Sequence, residues 1–269
     1  MPLIEVKNVS YFYRNGNKAL ENVSLLINQS ESVAIIGQNG AGKTTLVKLI
    51  KGLMKPSDGN IIVDSHNTKD YTTAQLADRV GYVFQNPDDQ IFHNDVYSEI
   101  AFGPKKIKLD EETIKENVKW AAELCNLSDH LNDNPFDLPL SIRKFVTIAS
   151  IIAMKPKIII LDEPTAGQDK KGIQILSHMI RILSERGFTI ITITHDMEFV
   201  ASNFTRTVVM ANKRIIMDNN TNEIFWNREI LTQAKLQPPH IIKLLEKVGI
   251  SKKELLKMDE VVDHLMTLL

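Results

Sequence analysis

Residues 37–44 read Gly-Gln-Asn-Gly-Ala-Gly-Lys-Thr, directly after the apolar run Ser32–Ile36. This is the spacing G-x-x-x-x-G-K-[ST] between a strand and a helix. A chance match in a chain of this length is roughly a one-in-a-hundred event at ordinary glycine usage. Glycines let a backbone wrap phosphate groups with its N–H groups turned inward. A helix N-terminus adds about half a positive charge at the same place. Lys43 then neutralises β- and γ-phosphates, and Thr44 ligates Mg²⁺. A second pair of reactive groups closes the run Ile158-Ile159-Ile160-Leu161-Asp162-Glu163. Carboxylates at the C-terminal end of a buried strand stand where ligands sit in open α/β sheets. Asp162 suits a Mg²⁺ shell. Glu163 points another way, because neighbours in a strand face opposite sides, and suits a base or water-positioner at a γ-phosphate. His195 ends the next apolar run, Phe188–Thr194. A lone histidine is usually structural, but this position favours a γ-phosphate contact.

These groups need a scaffold. Strands are expected over 3–13, 19–27, 32–37, 60–64, 79–84, 157–161 and 188–195, with a hairpin over 205–219 turning around Ala211-Asn212-Lys213. Helices are expected from Lys43 to a capping Gly52, over 111–127 and over 169–187. Strands alternating with helices argue for an α/β fold with a mainly parallel sheet covered on both faces. Residues 93–154 read as a helical insert. From about Gln233 the chain is helical, with Pro238-Pro239 as a stiff break before a small appendage.

The chain has 269 residues, enough to bury roughly 75% of its unfolded surface. Its net charge is −1, so bulk electrostatics imply no nucleic-acid partner. Lys105-Lys106 and Lys252-Lys253 read as solvated faces. Cys125 is the single cysteine, so no internal disulfide forms. It lies in an apolar helical pattern, which makes it a core residue. No signal peptide is visible, and no apolar run approaches the roughly 20 residues of a transmembrane helix. The expectation is a protein that is soluble or reaches a membrane only through a partner.

In this order the motifs resemble the ATP-binding cassette (ABC) ATPases over about residues 1–225. The resemblance implies a P-loop NTPase cassette with a RecA-like, mainly parallel core and an N-terminal antiparallel β subdomain. It also implies a helical subdomain at about 93–154 and a C-terminal helical dimerisation appendage at 226–269. ATP and Mg²⁺ are the implied cofactors. Gly37, Gln38, Asn39, Gly40, Ala41, Gly42, Lys43, Thr44 and Thr45 would hold the nucleotide, and Tyr13 would stack on adenine, with Tyr11 as runner-up. Thr44, Gln85 and Asp162 would surround Mg²⁺, Asp162 through water. Glu163, His195 and Gln85 would carry hydrolysis, Gln85 also contacting the attacking water and relaying nucleotide state to a membrane partner. Asp169 would sit at a dimer interface. The stretches Val83–Phe92 and Ala101–Pro104 further resemble cassette subunits of energy-coupling factor importers, which take up vitamins and transition-metal ions. That likeness implies a second ATPase subunit, an integral membrane energy-coupling subunit and a substrate-binding membrane subunit. It places the chain peripherally at the cytoplasmic face of the cell membrane, with Asp88-Asp89-Gln90 near the groove for the membrane protein.

The family completes each site with a signature, usually L-S-G-G-Q, from the opposite subunit. Here the matching residues are Leu138-Pro139-Leu140-Ser141-Ile142. Pro139 has neither hydroxyl nor N–H. Ser141 is expected as an N-cap, with a substitute phosphate contact as the alternative, and Arg143 and Lys144 would keep positive charge near the helix start. The two sites of a dimer would therefore be unequal, most simply in a heterodimer, with a homodimer possible. Gln168 stands where the family usually has leucine. The rival readings are a non-transport ABC ATPase and a nucleotide-binding regulatory subunit with little turnover.

Overall fold

The computed structural model describes residues 2–247 and Val261. A four-stranded antiparallel sheet contains β1 (Ile4–Phe12), β2 (Lys18–Ile27), β4 (Asp58–Val63) and β5 (His66–Asn67), in the order β2-β1-β4-β5. A six-stranded sheet contains β3 (Ser32–Ile36), β6 (Val80–Val83), β7 (Ile158–Asp162), β8 (Thr189–Ile193), β9 (Arg206–Ala211) and β10 (Arg214–Asn220). Its order is β10-β9-β3-β8-β7-β6. All neighbours in it run parallel except the β9–β10 hairpin. That hairpin turns through Asn212 and Lys213 at φ 49° and 67°, the left-handed pair that matches strand twist.

The strand pleat divides the apolar residues between two cores. Val33, Ile35, Ile158, Ile160, Ile191, Val208 and Met210 face β1, β2, β4 and helix α1 (Lys43–Ile50). Their neighbours Ala34, Ile36, Ile159, Leu161, Ile190, Val209 and Ala211 face the remaining helices. A period of two in unbroken apolar strands is what a sheet covered on both sides requires.

The helical insert consists of α2 (Val96–Lys106), α3 (Glu111–Leu124) and α4 (Leu140–Ile152). Asp95 and Asp110 cap the first two, accepting from the N–H groups of Ser98 at 2.7 Å and Thr113 at 2.9 Å. The capping expectation for Ser141 is corrected. Pro139 is the N-cap of α4, at φ −53° and ψ 148°, with no side-chain cap, and Ser141 lies inside the first turn. Proline's fixed φ suits the boundary and extends Leu138 before it. The Pro139 carbonyl accepts from Ile142 and Arg143, both at 2.9 Å.

The chain continues through α5 (Lys170–Glu185), α6 (Met197–Asn203), α7 (Thr221–Phe225), α8 (Arg228–Gln233) and α9 (His240–Lys247). Leu231, Ile241, Ile242 and Leu245 join the same core as the helical insert. Lys252-Lys253 and most of the expected appendage beyond Lys247 lie outside the described residues. Cys125 is buried in the core, and burial pushes its thiol pKa up.

Candidate functional site

The glycine-rich loop joins β3 to α1 and lies against β2 and β9. Gly37 has φ 153°, and a Cβ there would come within 2.2 Å of the Met210 carbonyl oxygen. Gly42 caps α1 at φ 104°, where a Cβ would lie 2.6 Å from Leu20 Cδ2 and 2.7 Å from the Ala19 oxygen. Both positions are closed to any side chain, for backbone conformation and for space. Lys43 is 7% exposed and lies along the loop, donating to the carbonyls of Gly37 at 2.7 Å and Gln38 at 3.1 Å. Burial lowers its pKa, and the charges of Glu163 and Asp162 oppose that shift.

A cavity of 170 Å³ is lined by Asn39, Gly40, Gly42, Lys43, Thr44, Thr45, Gln85 and Glu163. Three sequence-distant segments thereby converge, since Gln85 follows β6 and Glu163 follows β7. The adjoining 420 Å³ cleft holds Thr44, Gln85, Asp162 and Lys144. Gln38 and the buried Ala41 complete the loop, the Ala41 N–H donating to Gln38 at 3.1 Å. The Tyr13 hydroxyl bonds the Thr45 hydroxyl at 2.8 Å, and its ring is edge-on to Tyr11 at 5.2 Å. Tyr13 is therefore beside the site and half exposed, with a face available for stacking. A larger cavity of 570 Å³, lined by Ser32, His178 and Arg181 among others, contains none of the expected site residues.

The two carboxylates diverge, Asp162 at the end of β7 and Glu163 in the turn beyond it. Asp162, 2% exposed, accepts from the Tyr82 hydroxyl at Oδ2 (2.6 Å) and from the Thr44 hydroxyl at Oδ1 (3.5 Å). Burial, with the Asp162 charge and this hydrogen bond, raises the Tyr82 pKa. Glu163 turns instead to His195, its Oε2 lying 2.8 Å from Nδ1 and 3.3 Å from the backbone N–H. Glu163 holds φ 51°, a left-handed conformation uncommon for a non-glycine residue and often found at functional sites. The imidazole of His195 is 68% exposed, so it can reach a ligand while touching Glu163.

Magnesium fits this donor set. Mg²⁺ takes hard oxygen ligands, commonly one or two carboxylates plus substrate phosphates. Thr44 Oγ1, Asp162 Oδ1 and the Gln85 amide oxygen are of that kind. Among the described residues no cluster of three or more His, Cys, Asp or Glu offers an alternative metal centre.

Ser141 and Asp169 are not brought to this cavity. They line a separate 240 Å³ cavity with Cys125 and Gln168. Asp169 caps α5 through the Gly172 N–H at 2.7 Å, and Gln168 Nε2 donates to the Ser141 carbonyl at 3.1 Å. The expectation that Arg143 and Lys144 leave positive charge at the start of α4 is corrected. Arg143 pairs with Asp88 at 2.7 Å. Lys144, 3% exposed, donates to the carbonyls of Glu163 at 2.8 Å and Ala166 at 3.0 Å. Gln90 also turns inward, accepting from the Phe84 N–H at 3.2 Å and donating to the Thr147 carbonyl at 3.1 Å. Sequence reasoning missed Tyr82, which it placed in a strand without a role. The alternation that carries Tyr82 toward Asp162 was readable only once β6 and β7 were known to be neighbours.

Residues 20–166 match the family described as ABC transporter. A protein of Pyrococcus furiosus named as an ABC transporter ATP-binding protein is 40% identical over 260 residues, covering 95% of this chain and 98% of that one. The chain belongs to the ABC transporter ATP-binding family. A similarly named protein of Caldanaerobacter subterraneus is also 40% identical, over 97% of this chain and 45% of that one. The structure of CbiO1 from Clostridium perfringens, described as part of the ABC transporter complex CbiONQ, superposes with a TM-score of 0.78. It is 34% identical over 91% of this chain and 99% of that chain. An ATP-binding cassette captured as a dimer after hydrolysis, with ADP and Pi, superposes at 0.74 with 26% identity over 81% and 98%. This ABC ATPase accordingly binds and hydrolyses ATP on the P-loop cassette fold expected from its motifs.

Proposed function

We propose that this ABC ATPase is the motor subunit of an energy-coupling factor importer, driving uptake of a vitamin or transition-metal ion through membrane partners. The observation that carries this reading is the likeness to CbiO1 across nearly the whole of both chains. No helix among the described residues is long and apolar enough to cross a membrane. The reading assigns the chain to the cytoplasmic face, docked on an integral energy-coupling subunit near Asp88–Gln90. A separate membrane subunit binds the solute. The division near residue 225 is taken as the boundary between the cassette and a C-terminal dimerisation segment.

At the site, the loop 37–45 holds the triphosphate, Lys43 faces β- and γ-phosphates, and Tyr13 stacks on adenine. Bound Mg²⁺ supplies charge neutralisation between the phosphates, held by Thr44, Gln85 and, through water, Asp162. Glu163 accepts a proton from the attacking water. His195 meets Glu163 through Nδ1, and donating there and through Nε2 to the γ-phosphate requires a proton on both ring nitrogens. Ser141 and Asp169 face the opposing subunit, away from this chain's own phosphate loop.

The opposing subunit is taken to be a different ATPase. Pro139 offers no hydroxyl, and Leu140 beside it is 48% exposed, an apolar side chain where the family brings polar donors to a γ-phosphate. Each charge-assisted hydrogen bond lost costs about 1.5–3 kcal/mol. The Caldanaerobacter relative, of which this chain matches 45%, is long enough to hold two cassettes. The test is affinity purification of the tagged chain from detergent-solubilised membranes of its own cells. A second cassette ATPase and two integral membrane proteins are the expected companions. Recovery with ribosomes or DNA, and no membrane protein, would overturn the importer reading.

A further inference from the structure

Glu163 is held on every side. Its N–H donates to the Ile193 carbonyl at 2.8 Å. Its carboxylate meets His195 as described. Its carbonyl accepts from Lys144 Nζ at 2.8 Å and from the Ala166 N–H at 3.3 Å. Three of these contacts come from the end of β8, from His195 two residues beyond it and from the turn after β7. The lysine comes from the helical insert. It stands on α4, the helix that opens directly after Leu138-Pro139, and it spans from the insert to the turn 163–166 with two carbonyl acceptors.

A buried ammonium costs solvation free energy, and burial does lower the Lys144 pKa against the opposing pull of Glu163 and Asp162. A packing role needs only the stem, which methionine would supply. The ammonium does something more specific, because the residue it grips has left-handed φ, a conformation that costs of order 1–3 kcal/mol unless its surroundings impose it. A small change in that φ swings the carboxylate away from any water lined up on a γ-phosphate. Misplacing a reacting group by about 1 Å can cost on the order of 100-fold in rate.

We propose that Lys144 is a positioning residue for ATP hydrolysis, fixing the backbone of Glu163 from the helical insert so that the base is aligned only when the insert is correctly docked. The proposal rests on Glu163 as the base. It makes the orientation of α4 a condition for turnover in the chain's own phosphate-loop site. Lys144 makes no hydrogen bond to the loop 37–45 but shares the cleft with Thr44 and Asp162, so the expected effect on nucleotide binding is small beside that on turnover.

The test uses the full chain in the assembly in which it turns over ATP. Lys144→Met keeps the stem and removes the donors, Lys144→Leu is a second donor-free variant, and Lys144→Arg keeps donors and charge. Expected for both donor-free variants are a kcat lower by about 10- to 100-fold and a Kd for Mg·ATP within about twofold of the parent. Lys144→Arg recovers much of the kcat. Amide hydrogen exchange rises at Ala166 and His195 and not along α1. A donor-free variant with unchanged kcat overturns the proposal. So does a parallel loss of kcat and binding that Lys144→Arg does not repair, since that is a general structural defect. Glu163→Gln is measured alongside. If it abolishes turnover while Lys144→Met does not lower it, the positioning role fails and the base assignment stands. If Glu163→Gln turns over normally, the base assignment itself has failed.

Discussion

Tyr82 donates its hydroxyl to Asp162 Oδ2 at 2.6 Å across the parallel pair β6–β7. Both side chains are nearly inaccessible to solvent. The bond occupies one carboxylate oxygen and leaves the other beside Thr44. Tyr82→Phe keeps the packing and leaves a buried carboxylate short of a donor. A hydrogen bond to a charged group is worth about 1.5–3 kcal/mol. We expect a Tm lower by several degrees and a Mg²⁺ half-saturation for ATP binding shifted severalfold. Thermal melts and a magnesium titration of nucleotide fluorescence check it, and unchanged values in both would remove the role given to Tyr82.

General-base catalysis contributes typically 10²–10⁴-fold. Glu163→Gln is expected to lower kcat by at least about 100-fold while retaining Mg·ATP. His195→Ala, which removes the Nδ1 contact at 2.8 Å but not the carboxylate, is expected to lose less. Steady-state turnover and equilibrium ATP binding separate the two. Equal losses of binding and rate in Glu163→Gln would contradict the assignment.

Lys51 closes α1 and donates to the Val80 carbonyl at the start of β6, joining the phosphate-loop helix to the strand that leads to Gln85. Burial holds its pKa at about 8. The folded value is below the unfolded one, so the fold prefers neutral lysine. The penalty is fully present below pH 8 and fades as pH rises toward 10.5. Lys51→Met should therefore gain stability relative to the parent at pH 7, and that advantage should shrink by about 2–3 kcal/mol at pH 10. Denaturant melts at the two pH values measure the difference; a pH-independent gap is the adverse outcome.

Pro139→Ser places a capping hydroxyl at an N-cap with no side-chain bond. A serine cap is worth about 0.5–2 kcal/mol, partly offset by about 0.4–1 kcal/mol for losing proline's restriction of the unfolded chain. Stability should change little. Turnover of the isolated chain should rise by about tenfold or more, because a homodimer would regain a γ-phosphate donor. An ATPase assay at increasing protein concentration tests this, and no gain would count against the unequal-site reading.

Gly42→Ala introduces a Cβ 2.6–2.7 Å from Leu20 and Ala19, at φ 104°. It should abolish ATP binding or leave an insoluble product, read by nucleotide retention on the purified chain. Gly40→Ala also meets positive φ but has open space, and should be milder.

Much of this was legible in the residues alone. The loop 37–44, the strand end at Asp162-Glu163 and His195 announce phosphate chemistry because each depends on local spacing and on the chemistry of a few side chains. The unbroken apolar runs Val33–Ile36 and Ile158–Leu161 likewise reveal a doubly covered sheet, since side chains on successive residues of a strand face opposite sides. The start of α4 lies two residues before the expected one, because Ser141 is the better cap in isolation and the backbone at Pro139 set the boundary instead. What the sequence could not determine is where long side chains end. Arg143 and Lys144 read as free positive charge. Only the packing of the helical insert on the core turned one to Asp88 and the other to the carbonyls of Glu163 and Ala166. Those partners lie 55, 19 and 22 residues away in the chain. Contacts of that separation depend on how whole elements dock, and no local pattern encodes them.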